Sequence, residues 1–181
     1  GNDTLIGGLG SDSLDGGAGT DTADYSGAST GIAVRMDGFA GSGGEALGDV
    51  LTNIEAVIGS GFADTIDGSF GDDSISGGAG DDVIDGKAGN DTLSGGSGND
   101  RITGGAGADV IDGGTGTDTA DYSASSSAVT VYLDGTAGSG GDAAGDTLAN
   151  VEALKGSAYN DTLYGSTGAD TLDGQGGDDT L

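Results

Sequence analysis

Aliphatic residues recur every nine positions along much of the chain, with glycine and polar residues between them. Residues 77–100, GGAGDDVIDGKAGNDTLSGGSGND, show the unit: two glycines, any residue, glycine, any residue, aspartate, any residue, an aliphatic residue and a variable ninth residue. The side chain two residues after each aspartate of this frame is small or aliphatic, and thirteen positions keep the register: Leu5, Leu14, Ala23, Ile66, Ile75, Ile84, Leu93, Ile102, Ile111, Ala120, Leu163, Leu172 and Leu181.

This nine-residue period predicts short strands and tight turns. Three residues of each unit can be extended with the middle one facing inward, while the six glycine-rich and polar residues reverse the chain. A helix would need apolar residues at 3.6-residue spacing, and glycine in a helix costs about 1 kcal/mol per residue. We therefore expect an all-β solenoid in which two nonapeptides form one coil and successive coils stack with parallel strands about 4.8 Å apart.

A longer repeat overlies the short one, because residues 17–73 match residues 114–170 at a constant offset of 97. Both copies contain a spacer that interrupts the nonapeptides. The predicted organisation is one continuous solenoid, with nonapeptide blocks at 1–26, 59–123 and 156–181 and spacer coils at 27–58 and 124–155. Because the pattern starts and stops within a repeat, we expect the chain to be a segment of a longer array.

Each spacer has its own alternation of apolar and polar residues. GIAVRMDG at 31–38 and AVTVYLDG at 128–135 predict half-buried strands, each followed by an Asp-Gly turn. We expect wider coils that continue the stack, with a helix over 51–58 as the alternative because of its three-residue apolar spacing. That spacing is carried by a second apolar set in both spacers: Leu51, Ile54 and Val57, then Leu148, Val151 and Leu154.

The composition indicates that such a fold needs a further stabilising component. The 181 residues include 43 glycines and no proline, cysteine, histidine or tryptophan, and the formal net charge is −27 at pH 7. Low hydrophobicity with one-sided charge is typical of disordered chains, unless another interaction offsets the conformational entropy. We expect that interaction to be with cations. The charge argues against nucleic acid and anionic membranes as partners, and no apolar run approaches the roughly 20 residues of a membrane-spanning helix.

The aspartates of the frame are the candidate cation ligands. Stacked coils place each aspartate beside the one 18 residues later, where carboxylates about 5 Å apart repel by roughly 1 kcal/mol in water and by more near a protein surface. A hard divalent cation reverses this repulsion, and oxygen donors without His or Cys favour Ca²⁺ over Mg²⁺ or a transition metal. The aspartates are Asp3, Asp12, Asp21, Asp64, Asp73, Asp82, Asp91, Asp100, Asp109, Asp118, Asp161, Asp170 and Asp179.

The spacing of these aspartates predicts at least seven Ca²⁺ ions, one for each pair separated by 18 residues within a block: 3–21, 64–82, 73–91, 82–100, 91–109, 100–118 and 161–179. The spacers contain further carboxylates in the matched segments GDVLTNIE and GDTLANVE. Two hypotheses stay open for them, ligation of additional ions and capping of turns: Asp49, Glu55, Asp146 and Glu152.

The nonapeptide resembles the repeat of the RTX family, the repeats-in-toxin or hemolysin-type calcium-binding proteins, for which this unit is a known signature. The likeness covers residues 1–26, 59–123 and 156–181. It implies a right-handed parallel β-roll with calcium between successive loops, held by the sixth-position aspartates and by loop glycine carbonyls. In the middle block the implied carbonyl ligands are Gly77, Gly78, Gly80, Gly86, Gly89, Gly95, Gly96, Gly98, Gly104, Gly105 and Gly107.

Two sets of residues depart from a uniform site. Phe62 and Tyr159 stand where the fourth-position glycine belongs, so we expect their loops to lack a full site and to pack the aromatic ring over the spacer. The aspartates at position nine lie outside the inner face, and we expect them to be solvated turn residues, with additional ligation of ions as the alternative: Asp15, Asp24, Asp67, Asp85, Asp112, Asp121 and Asp173.

The expected function is a calcium-dependent folding module of a secreted protein, unfolded where calcium is scarce and folded at roughly millimolar calcium outside the cell. The resemblance implies type I secretion from a Gram-negative bacterium. Catalysis within the segment is not expected, since His and Cys are absent and calcium uses the carboxylates, although the parent protein can carry a catalytic domain elsewhere. The alternative is a structural array, such as an adhesin stalk, surface-layer segment or fibre, with end-to-end or lateral self-association.

Overall fold

The computed structural model describes all 181 residues as short parallel strands joined by tight loops. Two single-turn 3-10 helices, Gly44–Ala46 and Gly141–Ala143, are the only helical elements. The strands are β1 (Thr4–Leu5), β2 (Ser13–Asp15), β3 (Thr22–Asp24), β4 (Ala33–Arg35), β5 (Val50–Thr52), β6 (Ala56–Ile58), β7 (Thr65–Asp67), β8 (Ser74–Ala79), β9 (Val83–Asp85), β10 (Thr92–Ser97), β11 (Arg101–Thr103), β12 (Val110–Thr115), β13 (Thr119–Asp121), β14 (Thr130–Tyr132), β15 (Thr147–Ala149), β16 (Ala153–Lys155), β17 (Thr162–Tyr164) and β18 (Thr171–Asp173).

The strands form two parallel sheets of seven strands each. The first sheet has the order β1-β3-β6-β8-β10-β12-β15, and the second has the order β18-β16-β13-β11-β9-β7-β4. Two further pairs, β2 with β5 and β14 with β17, complete the strand set. Within the nonapeptide blocks, neighbouring strands are 18 residues apart, so that Leu93 pairs with Ile75 on one side and with Ile111 on the other. The prediction of an all-β parallel β-roll is confirmed.

The core between the sheets is a thin double ladder of aliphatic side chains. Each short strand points its middle residue inward, because successive side chains of a strand alternate between its two faces. Full burial of such a side chain contributes roughly 1.5–3 kcal/mol, yet a nonapeptide supplies only one. The fully buried rungs of the middle block are Ile75, Leu93 and Ile111 in the first sheet and Ile66, Ile84 and Ile102 in the second.

Each spacer inserts strands that pair in two directions. In the first spacer, β4 pairs forward with β7, whereas β5 pairs back with β2. The segment between β4 and β5 contains the first 3-10 helix, and its Gly43 forms an antiparallel bridge back to Ala33 of β4. The alternative of a helix over 51–58 is wrong. Asn53 has a left-handed φ of +51° between β5 and β6, which interrupts any right-handed helix, and the apolar residues are instead buried by the sheets.

Strands offset by 97 residues lie in opposite seven-stranded sheets at three places. Strands β3, β6 and β8 belong to the first sheet, while their equivalents β13, β16 and β18 belong to the second. The local pairing is nevertheless the same in both copies, since β3 pairs with β6 as β13 pairs with β16. The two matched segments of sequence therefore form the same strand pairs, even though these pairs lie in different sheets.

Candidate metal centre

The aspartates of the repeat form hydrogen-bonded columns along the roll. The backbone N–H of each aspartate donates to Oδ1 of the aspartate 18 residues later, with donor–acceptor distances of 2.7 to 2.9 Å. All seven pairs predicted from the spacing are brought together in this way: 3–21, 64–82, 73–91, 82–100, 91–109, 100–118 and 161–179. The loops of successive coils are therefore in register at these aspartates.

Most of these carboxylates are buried. Asp3 is exposed and Asp12, Asp170 and Asp179 are partly exposed, whereas the other nine are buried: Asp21, Asp64, Asp73, Asp82, Asp91, Asp100, Asp109, Asp118 and Asp161. Burial raises the pKa of Asp82 and of Asp91 to about 7, and the charges of neighbouring aspartates add to this rise. Removal from water disfavours the ionised form of a carboxyl group. The columns therefore hold negative charge at a free-energy cost that a cation would remove.

One oxygen in each of seven carboxylates has no hydrogen-bond partner. In all but Asp12, Oδ1 accepts the backbone N–H of the aspartate 18 residues earlier. The Oδ2 atom is shielded from solvent and has no hydrogen-bond partner in Asp12, Asp21, Asp82, Asp91, Asp100, Asp109 and Asp118. Buried polar atoms in proteins are nearly always paired, and leaving one unpaired costs about 1–3 kcal/mol or more for a charged group. Seven repetitions of this unpaired oxygen indicate a common missing partner that is positively charged.

These oxygens face a space beside the first glycine of their own loop. A Cβ added to Gly77 would collide with Oδ2 of Asp82 and would lie 2.7 Å from the carbonyl oxygen of Gly95 in the next coil. The same pair of oxygens faces Gly86, from Asp91 and Gly104, and Gly95, from Asp100 and Gly113. Nowhere do three acidic side chains converge on one point, so a cation in these spaces would take its remaining ligands from main-chain carbonyls. Such an all-oxygen donor set fits Ca²⁺.

The loops with an unpaired oxygen share one backbone conformation. Their second and fourth residues both have left-handed φ angles, as in Gly78 at +108° and Gly80 at +117°. Glycine adopts this conformation without steric cost, although Lys87 also adopts it, with φ of +71°. The other second- and fourth-position glycines predicted as ligands in the middle block share it: Gly89, Gly96, Gly98, Gly105 and Gly107. The first-position glycines Gly77, Gly86, Gly95 and Gly104 are buried beside the aspartates.

Four loops are closed by a serine at position two, which the sequence interpretation missed. In loop 68–73 the N–H of Ser69 donates to Oδ2 of Asp73 over 2.6 Å, and its hydroxyl donates to Oδ1 over 3.0 Å. Neither position two nor position four is left-handed in these loops, even where position four is still glycine, as in Gly71 and Gly168. The same bonds recur from Ser60 to Asp64, from Ser157 to Asp161 and from Ser166 to Asp170.

The serine loops 59–64, 68–73, 156–161 and 165–170 are the first two loops after each spacer. Asp64, Asp73 and Asp161 still donate their N–H to the column, but in all four loops the serine engages both carboxylate oxygens. A serine at position two was the available sequence signal. Phe62 and Tyr159 are each 48 % exposed, so about half of each residue is covered, and the expected packing of the rings over the spacers stays a prediction.

The spacers continue the carboxylate column with residues whose role the sequence left open. Asp49 accepts the N–H of Asp12 at Oδ1 over 2.8 Å and the hydroxyl of Tyr25 at Oδ2 over 3.1 Å. In the second spacer, Asp146 makes the same contacts with Asp109 and Tyr122. Glu55 and Glu152 take the next aspartate's place and accept the N–H of Asp21 and of Asp118. These pairs are 37 and 34 residues apart, and because neither separation is a multiple of nine, the nonapeptide spacing does not predict them.

The position-nine aspartates are not all solvated. Asp121 is 2 % exposed, and it pairs with Arg101, whose Nε donates over 2.8 Å, and with Lys155 at 3.5 Å. Burial by itself would raise the pKa of Asp121, but hydrogen bonds from Ser123 and the charge of Arg101 outweigh it and lower the pKa. The prediction of a solvated residue is therefore wrong at Asp121, because the few cationic side chains of the chain gather on this face.

The fold and the loops together define a class of protein, the parallel β-roll that binds hard cations between the loops of successive coils. A family model of the RTX calcium-binding nonapeptide repeat matches the chain in four copies, at residues 1–27, 58–93, 85–120 and 151–181, which together cover more than half of it. The chain belongs to this RTX family and is a calcium-binding β-roll segment. Among curated proteins, none matches the chain in a sequence comparison.

Proposed function

We propose that calcium binding drives the folding of this segment, and that it does so outside the cell. The observation that supports the proposal is the repeated unpaired Oδ2 of a buried aspartate, present in seven loops. A chain with net charge −27 stacks these carboxylates in columns, where a pair about 5 Å apart repels by roughly 3 kcal/mol at an effective dielectric constant near 20. With one aliphatic side chain per nonapeptide, the core is too small to offset this repulsion and the conformational entropy.

The geometry favours particular loops as calcium sites. Three of the seven pairs expected from the spacing begin with an unpaired Oδ2 beside a glycine carbonyl of the next coil: 82–100, 91–109 and 100–118. Pairs 64–82, 73–91 and 161–179 begin with an aspartate that a serine already holds, and pair 3–21 begins with the exposed Asp3. We propose that the first group binds calcium most tightly. The count of seven ions stays a prediction.

The proposed location is extracellular, which is typical of RTX repeat proteins. Calcium is scarce in cytosol and near millimolar outside cells, so a weak calcium module folds only after export. Type I secretion from a Gram-negative bacterium is the route that family membership suggests. No helix of the structure has the length and apolar character needed to cross a membrane.

A structural array is the second candidate function. Each seven-stranded sheet runs through one spacer without a break in strand pairing: the first sheet through β3, β6 and β8, and the second through β13, β16 and β18. A continuous, ion-linked roll of this kind would serve as an extended stalk, and calcium would then set its rigidity. The segment itself has a binding and structural role in both candidates.

The test of the proposed function is a calcium titration of the complete 181-residue chain. Far-ultraviolet circular dichroism should show a cooperative change from a disordered spectrum to a β spectrum, and Mg²⁺ at the same concentration should not produce it, because Mg²⁺ requires a smaller octahedral shell and retains water. A chelated protein that already has its full β spectrum would show that the folding proposal is wrong. If the titration shows the expected folding, a crystal structure at saturating calcium would locate the ions.

A further inference from the structure

The columns of carboxylates cross from the nonapeptide blocks into the spacers, outside the pairing that the nine-residue frame defines. The N–H of Asp118 donates to Oε2 of Glu152 over 2.9 Å, and the N–H of Asp21 donates to Oε2 of Glu55 over the same distance. Each contact spans 34 residues. Both spacers build the same junction. The first junction lies at the start of β3 and β6 in the first sheet, and the second lies at the start of β13 and β16 in the second sheet.

The aspartate at each junction is buried and incompletely paired. Asp21 and Asp118 are both 0 % exposed, and Oδ2 of each lacks any hydrogen-bond partner. Neither the aspartate nor the facing glutamate forms a salt bridge, since the cationic groups of the chain pair with other acids. Two acidic side chains thus meet at each junction without a positive charge beside them.

A main-chain carbonyl of the spacer completes the arrangement. A Cβ added to Gly113 would lie 2.9 Å from Oδ2 of Asp118 and would collide with the carbonyl oxygen of Asn150. In the first spacer, the corresponding space beside Gly16 is bounded by Oδ2 of Asp21, at 2.7 Å, and by the carbonyl oxygen of Asn53. These spaces reproduce the one beside Gly77, where the carbonyl comes from a glycine of the next coil.

The asparagines are held in the conformation that aims this carbonyl. Asn53 and Asn150 both have φ of +51°, a left-handed conformation that asparagine tolerates better than most residues. The side-chain amide of each donates a 2.8 Å hydrogen bond to a position-nine aspartate, Asp15 or Asp112. The turn at each asparagine is therefore fixed by a side-chain hydrogen bond. It places a carbonyl oxygen beside the aspartate, as a glycine does in the nonapeptide loops.

We propose that each junction is a divalent-cation site that takes Ca²⁺: one between Asp118, Glu152 and the Asn150 carbonyl, and one between Asp21, Glu55 and the Asn53 carbonyl. This inference rests on the proposed calcium-dependent folding and adds sites that the nonapeptide frame does not contain. Asp49 and Asp146 are not included, because the hydroxyls of Tyr25 and Tyr122 occupy the oxygen that a cation would need. The sites would fasten each spacer to the block before it.

The experiment counts calcium in the complete chain by equilibrium dialysis with metal analysis. Glu152→Gln keeps an oxygen that accepts the Asp118 N–H but removes the charge, so it should lower the stoichiometry by about one ion, and the double variant with Glu55→Gln by about two. Glu45→Gln is the matched control, since Glu45 lies in a spacer and its carboxylate accepts hydrogen bonds only from Ser29. This variant should bind as many ions as the unaltered chain.

A second measurement does not depend on the folding of a variant. Anomalous difference density of the unaltered chain in calcium should show a peak between Asp118 Oδ2 and the Asn150 carbonyl, and its equivalent in the first spacer. An empty junction, or an unchanged ion count in Glu152→Gln, would overturn the junction sites while the nonapeptide ions remained. Failure of the unaltered chain to bind any calcium would instead overturn the proposed function.

Discussion

Ser69 holds both oxygens of Asp73, with its backbone N–H donating to Oδ2 over 2.6 Å and its hydroxyl donating to Oδ1 over 3.0 Å. The carboxylate is thereby satisfied within its own loop, and the loop has none of the left-handed residues found in loops with an unpaired oxygen. One residue at position two therefore separates two kinds of loop. This contact gives the most direct test of which loops bind calcium.

Ser69→Gly should open loop 68–73 to calcium. Glycine removes the hydroxyl and allows a left-handed φ at position two, so the Asp73 carboxylate becomes free for a cation, and the stoichiometry should rise by about one ion per chain. Ser69→Ala removes only the hydroxyl and disfavours the left-handed conformation, and it should leave the ion count unchanged. Equal counts for the glycine variant and the unaltered chain would argue against closure by serine.

Lys87→Ser is the reciprocal change in loop 86–91. Lys87 is a position-two residue with a side chain already present, so the substitution adds no Cβ. The new serine should bond to Asp91 as Ser69 bonds to Asp73, and the chain should lose about one ion. Lys87→Ala loses the same ion pair with Asp37 and serves as the control. Metal analysis of both variants decides the outcome, and loss of an ion from both would point to the lysine charge.

Asp91→Asn should raise the calcium midpoint of folding. The amide oxygen can still accept the N–H of Asp73, but the charge that attracts the cation is lost. High calcium should largely restore folding by mass action. Asp178→Asn, at an exposed aspartate, removes the same charge outside the columns and should shift the midpoint little. The measurement is a calcium titration followed by circular dichroism, and equal shifts in both variants would contradict the assignment of Asp91 as a ligand.

Ile84→Ala should destabilise the fold in a way that calcium does not correct. Ile84 is fully buried in the second sheet, and its truncation should cost about 2–5 kcal/mol while leaving every proposed ligand in place. Urea unfolding at saturating calcium measures this loss. If saturating calcium restored the stability of Ile84→Ala to that of the unaltered chain, the separation between core and ligands would be wrong.

Acidification should partly replace calcium. The folded-state pKa of Asp82 and of Asp91 is raised to about 7, first by burial and then by neighbouring carboxylates, so without calcium the folded form binds protons that the unfolded form releases. Stability from this source is present at low pH and is lost as the pH rises through about 7. The calcium-free chain should therefore gain β signal between about pH 8 and about pH 5.5. A double Asp82→Asn, Asp91→Asn variant should show a smaller gain.

The inner ladder and the columns of aspartates could be predicted from the sequence because both depend only on a constant period. Ile75, Leu93 and Ile111 pair at steps of 18 residues, as the nonapeptide requires. The strands of the blocks follow from the same rule. Local hydrophobic alternation was also sufficient for β4 and β14, whose central residues Val34 and Val131 are buried.

The junctions could not be predicted, because their partners are related by pairing through a spacer and not by a period. Glu152 accepts the N–H of Asp118, which lies 34 residues earlier. The Asn150 carbonyl takes the place of a loop glycine carbonyl only because Asn150 has a left-handed φ. Nor did the frame reveal the serine loops, since their aspartates keep the correct register. The serine loops differ from the loops with an unpaired oxygen in the serine hydroxyl and in the backbone φ angles at positions two and four. The spacing of hydrophobic and acidic residues carries no information on either feature.

The exchange of sheets between strands offset by 97 residues has a consequence for the sides of the molecule. Equivalent strands in opposite sheets mean that one copy is carried onto the next by half a revolution about the long axis together with a shift along it, which is a twofold screw operation. Phe39 and Leu47 of the first spacer are 66 % and 59 % exposed, and their equivalents in the second are the exposed Thr136 and Ala144. One flank of the roll therefore presents bulky apolar side chains and the opposite flank presents small ones. The two flanks are thus chemically different surfaces for any molecule that packs against them.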